Sequence, residues 1–202
     1  MKAAGHVPRA VADDARVIEC SWCEPEQFAV LFDRHAPRIH RYVARRVGRE
    51  VADDLVAETF LAAFGKRRHY DLRYADAGPW LYGIATNLIG QHRREEARQF
   101  RLQLALRPEP GVPGHAEQVA ADVTVQATRG LLVAALARLA AADRDVLLLI
   151  AWEQLTYPEV SRSLGIPVGT VRSRLHRARA QVREALAQAG SPATLLEMLS
   201  ND

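Results

Sequence analysis

Residues 155–183 constrain the fold of this 202-residue chain more than any other stretch. Thr156 and Glu159 have the spacing of a capping box, in which each side chain bonds a free backbone N–H of a first helical turn. Pro158 fits the same turn, because its missing N–H has no helical partner there. Residues 165–167, Gly-Ile-Pro, then stop the helix. The stretch therefore predicts two helices joined by a tight turn.

The second of these helices, from about residue 168 to 186, has an apolar stripe and a basic face. Its apolar residues fall at i, i+4, i+7 and i+11 and predict one buried stripe: Val171, Leu175, Ala178 and Val182. The other side carries candidate DNA contacts, namely Thr170, Arg172, Ser173, Arg174, His176, Arg177 and Arg179. Residues 160–183 contain six arginines and no acidic residue. This pattern is typical of a helix-turn-helix whose second helix enters a major groove, where arginine can bond guanine twice. The alternative is a solvated basic helix on a helical hairpin.

Amino-acid composition limits which fold classes and cellular locations the chain can have. The apolar fraction of 49% is enough for a globular core, and no strand-rich pattern occurs, so we predict an all-α fold. The net charge is only +3, so basic residues must be concentrated locally to attract a polyanion. No apolar run approaches the length of about 20 residues needed to span a bilayer. The N-terminus has no apolar segment typical of a secretory signal, and we expect a cytoplasmic protein.

Residues 1–25 show no sustained period and are predicted to be a flexible N-terminal extension. They include Cys20 and Cys23, a C-x2-C pair that suits either metal or redox chemistry, or two ordinary thiols at the end of that extension. A structural zinc site needs four ligands, and no second pair of ligands at the usual spacing follows. We therefore expect no metal site.

An acidic helix is predicted over residues 53–64, after a helix that starts at Glu26 and is kinked or interrupted at Pro37. Asp54 and Glu58 lie at i, i+4 on the side opposite the apolar residues, where like charges repel by a few tenths of a kcal/mol. Leu61 lies exposed beside them. Two interpretations stay open: a surface that docks on another protein, or a solvated acidic helix start stabilised by the helix dipole.

Residues 65–78 interleave cations with aromatic rings, a mixture suited to unpaired nucleic acid, where stacking contributes about 1–3 kcal/mol per base. The alternative is an ordinary loop whose tyrosines pack back on the helices. The helix predicted from Pro79 then presents Gly83, Asn87, Gly90 and Arg94 on one face, with Gln91 beside them and Trp80 at the edge. This face is predicted to be a contact surface, with DNA as the candidate partner.

Residues 98–128 are predicted to be a linker, because residues 107–115 contain three prolines and two glycines. This gives two small helical domains, residues 26–97 and 129–187, followed by a C-terminal tail of residues 188–202. Asp143 is a predicted N-cap for one of the helices that complete the second domain.

The order of these features resembles the group IV (extracytoplasmic-function) sigma factors of bacterial RNA polymerase. The sequences DDLVAETFLAAF and PWLYGIATNLIGQHRR resemble the sigma-2 domain. The sequence from LLLIAWEQLT to RAQVREAL, with its GTVRSRLHRAR core, resembles the sigma-4 domain. The resemblance covers about residues 26–186, and a sigma-1.1 or sigma-3 domain has no room between the two parts.

The resemblance implies roles for both domains. Docking on the β′ clamp helices of core polymerase would fall to Asp53, Asp54, Leu55, Glu58 and Leu61. Capture and recognition of the −10 element would fall to Arg67, Arg68, Tyr70, Arg73, Tyr74, Trp80, Asn87, Gln91 and Arg94. The basic helix named above would enter the −35 major groove. Further expected partners are the β flap and an anti-sigma factor, with no membrane insertion, no cofactor and no catalysis.

The chain departs from the family pattern at two positions. Ala57 stands where the family usually has Gln, so one polar contact to polymerase is in doubt. Ala140 stands where a Leu-Pro pair usually opens the sigma-4 helix. Two other functions compete: a stand-alone helix-turn-helix regulator that binds operators, which leaves the acidic helix unexplained, and a nuclease, which no carboxylate or histidine cluster in the sequence supports.

Overall fold

The computed structural model describes residues 13–105 and 123–188, with side chains for residues 13–102 and 130–188. All regular secondary structure in these ranges is helical, which confirms the predicted all-α class. The helices are α1 (Asp14–Cys20), α2 (Ala29–Val47), α3 (Arg49–Lys66), α4 (Gly78–Ala105), α5 (Val123–Arg138), α6 (Ala141–Ala151), α7 (Tyr157–Leu164) and α8 (Val168–Gln188). Two short 3₁₀ turns, Pro25–Phe28 and Arg67–His69, complete the set.

The chain divides into two compact units, residues 1–88 and 89–202, so the boundary falls inside α4. The predicted linker, residues 98–128, is helical at both of its ends: α4 continues to Ala105 and α5 begins at Val123. The middle of that linker, residues 106–122, lies outside the described residues, as do residues 189–202 of the predicted tail.

In the first unit, α2 packs along α3 and the two helices are joined at Gly48 alone. Gly48 has φ 89°, a backbone conformation that side-chain-bearing residues seldom adopt. Pro37 does not interrupt α2, which is one helix of 19 residues with the proline on its exposed side.

Two tyrosines form the centre of the first unit. The rings of Tyr42 and Tyr82 meet edge to face with centroids 5.3 Å apart, and both side chains are fully buried. The Tyr42 hydroxyl lies 2.8 Å from Thr86 Oγ1 and accepts a 2.7 Å bond from Arg46 Nη1. Arg46 is therefore a core residue of the first unit.

Helix α1 lies where a flexible extension was predicted. Asp13 caps it by accepting a 2.8 Å bond from the Arg16 N–H, and Val17 and Ile18 are buried. The chain is therefore helical over Asp14–Cys20, and only residues 1–12 of the predicted extension lie outside the described residues. The helix has only seven residues, too few to be stable without tertiary contacts.

The tertiary contact that holds α1 is the buried carboxylate of Asp14. Its Oδ2 accepts bonds from His35 Nε2 at 2.7 Å and from the Ala77 N–H at 2.9 Å. Its Oδ1 pairs with the Arg34 guanidinium, and its own backbone N–H donates to Ala75 O at 2.8 Å. One carboxylate thus joins α1 to α2 and to the residues just before α4.

The second unit packs α8 against α5, α6 and α7. Its core includes Val146, Leu149, Val160 and Val171, all fully buried. Helix α6 begins at Ala141, three residues before the predicted start, so Ala140 is the N-cap residue and makes no side-chain cap bond. Asp143, predicted as the cap, instead lies buried in the first turn of α6.

We expect Asp14→Ala to lower the free energy of unfolding by about 3–5 kcal/mol, because removal of one partner leaves the other buried groups uncompensated. Urea unfolding of the full chain followed by circular dichroism measures this. Asp13→Ala is the matched control, since it removes an exposed cap on the neighbouring residue worth about 1 kcal/mol. Equal losses for the two variants would show that the Asp14 network does not hold the unit together.

The Asp14 contribution should also have a defined pH window. Burial raises the pKa of Asp14, but bonds from His35, the Ala77 N–H and Arg34 favour the carboxylate more, so its pKa lies below the ordinary 3.8. A group with a lowered folded-state pKa stabilises above its unfolded value, and this stability is lost as the pH falls through the folded value. The stability difference between wild type and Asp14→Asn should therefore be complete at pH 5 and shrink below pH 3.8.

Candidate nucleic-acid interface and docking surface

Helix α3 presents an acidic stripe, which we define as Asp54, Ala57, Glu58 and Leu61. These four residues are exposed at i, i+3, i+4 and i+7 of one helix, and Leu61 is 72% exposed. Acids around a large exposed apolar side chain form a surface that a basic, apolar partner can cover.

Two other predicted docking residues have different surroundings. The Asp53 side chain is 86% exposed, with Oδ1 3.1 Å from His40 Nε2. Leu55 is only 5% exposed and belongs to the core of the first unit, and its contact with core polymerase stays a prediction. It lies one position beyond Asp54, which turns its side chain by about 100° toward the buried side.

The arginines at the end of α3 are bound within the protein. Arg67 donates from Nε to Ser21 O at 3.2 Å and from Nη1 to Phe64 O at 2.7 Å, with its guanidinium 3.9 Å from the centre of the Phe64 ring. Arg68 donates from Nη2 to Trp22 O at 3.0 Å. Arg67 therefore serves mainly as an anchor, whereas Arg68 keeps an exposed side chain.

The aromatic residues of the loop likewise divide into a buried side chain and side chains that reach solvent. Tyr70 is 8% exposed, its hydroxyl lies 2.7 Å from Tyr74 O and 3.1 Å from Asp76 O, and its ring packs 5.0 Å from that of Trp80. Tyr70 is thus packed inside the loop, as the packed-loop alternative expects, and its contact with nucleic acid stays a prediction. Tyr74 and Trp80 are half-buried, and Arg73 is exposed and bound to Asp71 at 2.6 Å.

The N-terminal segment, which we define as residues 13–24, binds both ends of this loop. At one end, Ser21 and Trp22 accept the bonds from Arg67 and Arg68, and Trp22 Nε1 donates to Arg67 O at 3.3 Å. At the other end, Asp14 bonds the backbone of residues 75–77. Sequence reasoning missed this segment, because no local pattern signals contacts made across 45 to 63 residues.

Helix α4 presents Asn87, Gln91 and Arg94 to solvent at i, i+4 and i+7, as predicted. A Cβ at Gly90 would lie 3.4 Å from Arg94 Nη1, so the arginine side chain extends over the glycine on this face. Gly83 is buried, which corrects its predicted place on the exposed face.

The helix-turn-helix has the predicted local structure. Glu159 accepts bonds of 2.7 Å from both the N–H and the hydroxyl of Thr156, and Gly165 ends α7 with φ 64° in the left-handed region. The apolar stripe of α8 is buried throughout, at 0–3% exposure: Val171, Leu175, Ala178 and Val182. These features fix which side of α8 faces solvent.

The solvent side of α8 carries the predicted basic face. Arg172, Ser173, His176 and Arg177 are exposed, whereas Thr170, Arg174 and Arg179 are half-buried. The Ser173 hydroxyl donates to Thr170 O at 3.1 Å, which orients it along the helix.

Arg177 has a partner that the sequence did not reveal. Its Nε and Nη2 donate to the two carboxylate oxygens of Asp143 at 3.1 and 2.9 Å. Asp143 is 4% exposed, and its bonds to the guanidinium raise the pKa of Arg177. This two-point ion pair fixes the recognition helix α8 against the start of α6.

Among the described side chains, one group has metal-ligand chemistry, with ligand atoms of Asp14, His35 and Asp76 within 4.8 Å of one another. Both oxygens of Asp14 are already bound by protein donors. Cys20 and Cys23 are exposed thiols outside this group. In the described part of the chain, no helix is long and apolar enough to cross a bilayer.

The ion pair predicts non-additive stability. Asp143→Ala and Arg177→Ala should each lower the melting temperature, and the double variant should lose less than the sum of the two, because both remove the same contact. Arg172→Ala, at an exposed position of the same helix, should change stability by less than about 0.5 kcal/mol. Additive losses for Asp143 and Arg177 would exclude the coupling.

Two family models match the chain. The model for sigma-70 region 2 matches residues 31–99, and the model for sigma-70 region 4 matches residues 129–182. The first match covers the acidic stripe, the loop and the exposed face of α4. The second covers the helix-turn-helix up to Val182.

Named relatives match over most of the chain. SigL of Mycobacterium tuberculosis, an ECF RNA polymerase sigma factor, is 33% identical over 178 residues, which cover 87% of this chain and 98% of that protein. The ECF RNA polymerase sigma factor SigE of Mycolicibacterium smegmatis is 35% identical over 167 residues, which cover 80% of this chain but only 62% of that protein. The chain thus spans less than two thirds of the length of SigE.

Two solved structures share the fold. The sigma factor RpoE of Bartonella quintana, in complex with the anti-sigma factor NepR, has a TM-score of 0.59 at 22% identity, covering 80% of this chain and 98% of that chain. CnrH, in complex with the cytosolic domain of CnrY, has a TM-score of 0.60 at 22% identity, covering 88% of this chain and 99% of that chain. Together with SigL, matched over nearly its whole length, and with the two family models, these findings establish that the chain belongs to the extracytoplasmic-function sigma factors of the sigma-70 family.

Proposed function

We propose that this chain binds core RNA polymerase and directs it to promoters by contacting the −35 duplex with α8 and the −10 element with α4 and the loop before it. The observation that carries the proposal is the presence in one chain of two exposed nucleic-acid faces and an acidic stripe. A stand-alone operator-binding protein needs only one of these features, the helix-turn-helix with the basic face of α8. Like other sigma factors, the protein regulates transcription and performs no catalysis.

The −35 contacts are assigned to the solvent side of α8. Arg172, Ser173 and His176 are the exposed side chains best placed to reach base edges, because they make no ion pair within the described residues. Thr170, Arg174 and Arg179 flank them and suit contacts with phosphates. Arg177 contributes differently: Asp143 holds it, so it sets the position of α8 and adds positive charge at the edge of the groove.

The −10 contacts are assigned to a smaller set than the sequence predicted. Asn87, Gln91 and Arg94 form the exposed polar face of α4, and Arg68, Arg73, Tyr74 and Trp80 line the loop with side chains that reach solvent. Tyr70 and Arg67 support the loop from within. Unpaired bases would stack on the half-buried rings while the arginines neutralise the phosphates.

The acidic stripe is assigned to the β′ clamp helices of polymerase, the partner that the family resemblance implies. Its charge favours a basic partner, and Leu61 supplies an apolar anchor. The family also implies contact of the second domain with the β flap and control by an anti-sigma factor. The RpoE–NepR complex lends support to that last partner. Because polymerase and promoter DNA lie in the cytoplasm, the proposed function implies a cytoplasmic protein.

Transcription by purified core polymerase, with and without the protein, on a library of promoter fragments from the same genome tests the proposal. We expect start sites that appear only when the protein is added and share sequence near −35 and −10. The stand-alone regulator predicts the opposite: tight binding to duplex operators without polymerase and no new start sites.

Glu58→Arg should weaken binding to core polymerase at least about tenfold, because it reverses a charge at the centre of the acidic stripe. Glu19→Arg, an equal charge reversal at an exposed position of α1, should leave core binding unchanged. Fluorescence titration of labelled protein with core measures both affinities. If core affinity is unaltered in Glu58→Arg, the stripe is only a solvated helix surface.

Arg172→Ala should weaken binding of the holoenzyme to its −35 sequence by about 1–3 kcal/mol if the arginine bonds a base twice. Arg172→Lys keeps the charge but cannot form the two-point bond, so it should lose discrimination between −35 sequences and retain non-specific binding. Competition assays with single-base −35 variants measure both effects. An equal loss on every sequence would assign Arg172 to a phosphate.

A further inference from the structure

Cys20 and Cys23 have no role in the surfaces described above, yet their positions are well defined. Cys20 is the last residue of α1, and both thiols are exposed. The N–H groups of Cys23 and Glu24 donate to Cys20 O at 3.2 and 3.0 Å, so the chain continues as a helical turn past the end of α1. The two cysteines therefore lie three residues apart on one helical turn.

That turn brings the thiols close to disulfide geometry without reaching it. Helix geometry places Cα atoms three residues apart at about 5 Å, inside the range of about 4.4–6.8 Å found in disulfides. Cβ atoms at this spacing are about 5–6 Å apart, whereas a disulfide needs about 3.5–4.5 Å. Formation of the disulfide must therefore bring the two Cβ atoms closer together by about one to two ångström, which tightens the turn.

The two residues between the cysteines are those that bind the loop. Ser21 O accepts from Arg67 Nε, Trp22 O accepts from Arg68 Nη2, and Trp22 Nε1 donates to Arg67 O. Ser21 is fully buried, and its hydroxyl donates to Ile18 O at 2.6 Å, so the turn is packed and cannot tighten without moving these groups. A change in the turn thus acts directly on the first residues of the proposed −10 loop.

We propose that Cys20 and Cys23 form a reversible disulfide that loosens the bonds between this turn and Arg67 and Arg68, and thereby reduces opening of the −10 element. Glutathione disulfide is a sufficient oxidant. The two protein thiols lose two protons and two electrons to form one S–S bond, the S–S bond of glutathione disulfide breaks, and two glutathione thiols are released. The effect of the disulfide on the bonds to Arg67 and Arg68, which we call the thiol–loop coupling, is argued from the geometry alone. The effect on promoter opening rests on the proposed sigma-factor function.

Disulfide formation and the hydrogen bond from Arg68 to Trp22 O must affect each other equally, and this reciprocity provides the test. If oxidation weakens the Arg68 bond, then removing that bond must make oxidation easier by the same factor. The full chain is equilibrated with mixtures of glutathione and glutathione disulfide, and mass spectrometry counts peptides that have lost two hydrogens across Cys20 and Cys23. We expect the equilibrium constant for the intramolecular disulfide to rise about twofold to tenfold in Arg68→Ala, the factor expected for one hydrogen bond.

Arg16→Ala is the matched control, because Arg16 is an exposed arginine of α1 whose side chain makes no hydrogen bond or ion pair within the described residues. Its equilibrium constant should equal that of the wild type. The proposal is overturned if oxidation yields only mixed disulfides with glutathione, or if the constant in Arg68→Ala matches the control.

Promoter opening by holoenzyme provides the functional arm. Oxidised wild type should open promoters several-fold less than the reduced form while core affinity stays the same, and Cys20→Ser/Cys23→Ser should be insensitive to oxidation. Equal opening by the oxidised and reduced forms overturns the regulatory step. Failure of the reduced wild type to initiate at all overturns the sigma-factor function and the regulatory step with it, and the redox equilibrium alone then decides the thiol–loop coupling.

Discussion

The first unit depends on a carboxylate that is removed from water. Asp14 is 3% exposed, and such a charge is stable inside a protein only when donors surround it. The donors come from His35 and Arg34 of α2 and from the backbone at Ala77. One side chain therefore fixes a helix of seven residues, the end of the loop and the start of α4 together. The proposed −10 surface includes the loop and the start of α4, which this carboxylate holds together.

The second unit also contains a buried aspartate, and its carboxylate is compensated by an arginine that is more exposed. Asp143 is buried in the first turn of α6, and the guanidinium of Arg177 reaches it from α8. This places a negative charge under the basic face of the recognition helix and orients the helix at the same time. In each unit a buried aspartate, whose tertiary contacts sequence reasoning missed, holds together elements that carry a proposed nucleic-acid surface.

How far the sequence predicts this protein depends on whether the signal is local. The buried stripe of α8 and the Thr156–Glu159 capping box follow from spacing within one helix, and both were predicted. Leu55, assigned to the docking surface by the family resemblance, is buried, and Tyr70 follows the packed-loop alternative. Exposure depends on which elements pack against a residue, which spacing alone does not tell. Helix α1 was not predicted from the sequence, because its stability comes from bonds to residues 34, 35 and 77. The local patterns of the candidate contact surfaces were easier to recognise in the sequence than the tertiary contacts that hold those surfaces in place.

Amide hydrogen exchange at Ala77 tests most directly whether the N-terminal segment holds the loop. The Ala77 N–H is bound by buried Asp14, whereas the neighbouring Gly78 N–H is bound by Asp76, an exposed residue of the loop itself. The account predicts that Ala77 exchanges as slowly as the core amides of α2, and that Asp14→Asn accelerates Ala77 far more than it accelerates Gly78. Exchange of Ala77 in the wild type at the rate of an unprotected loop amide would contradict it.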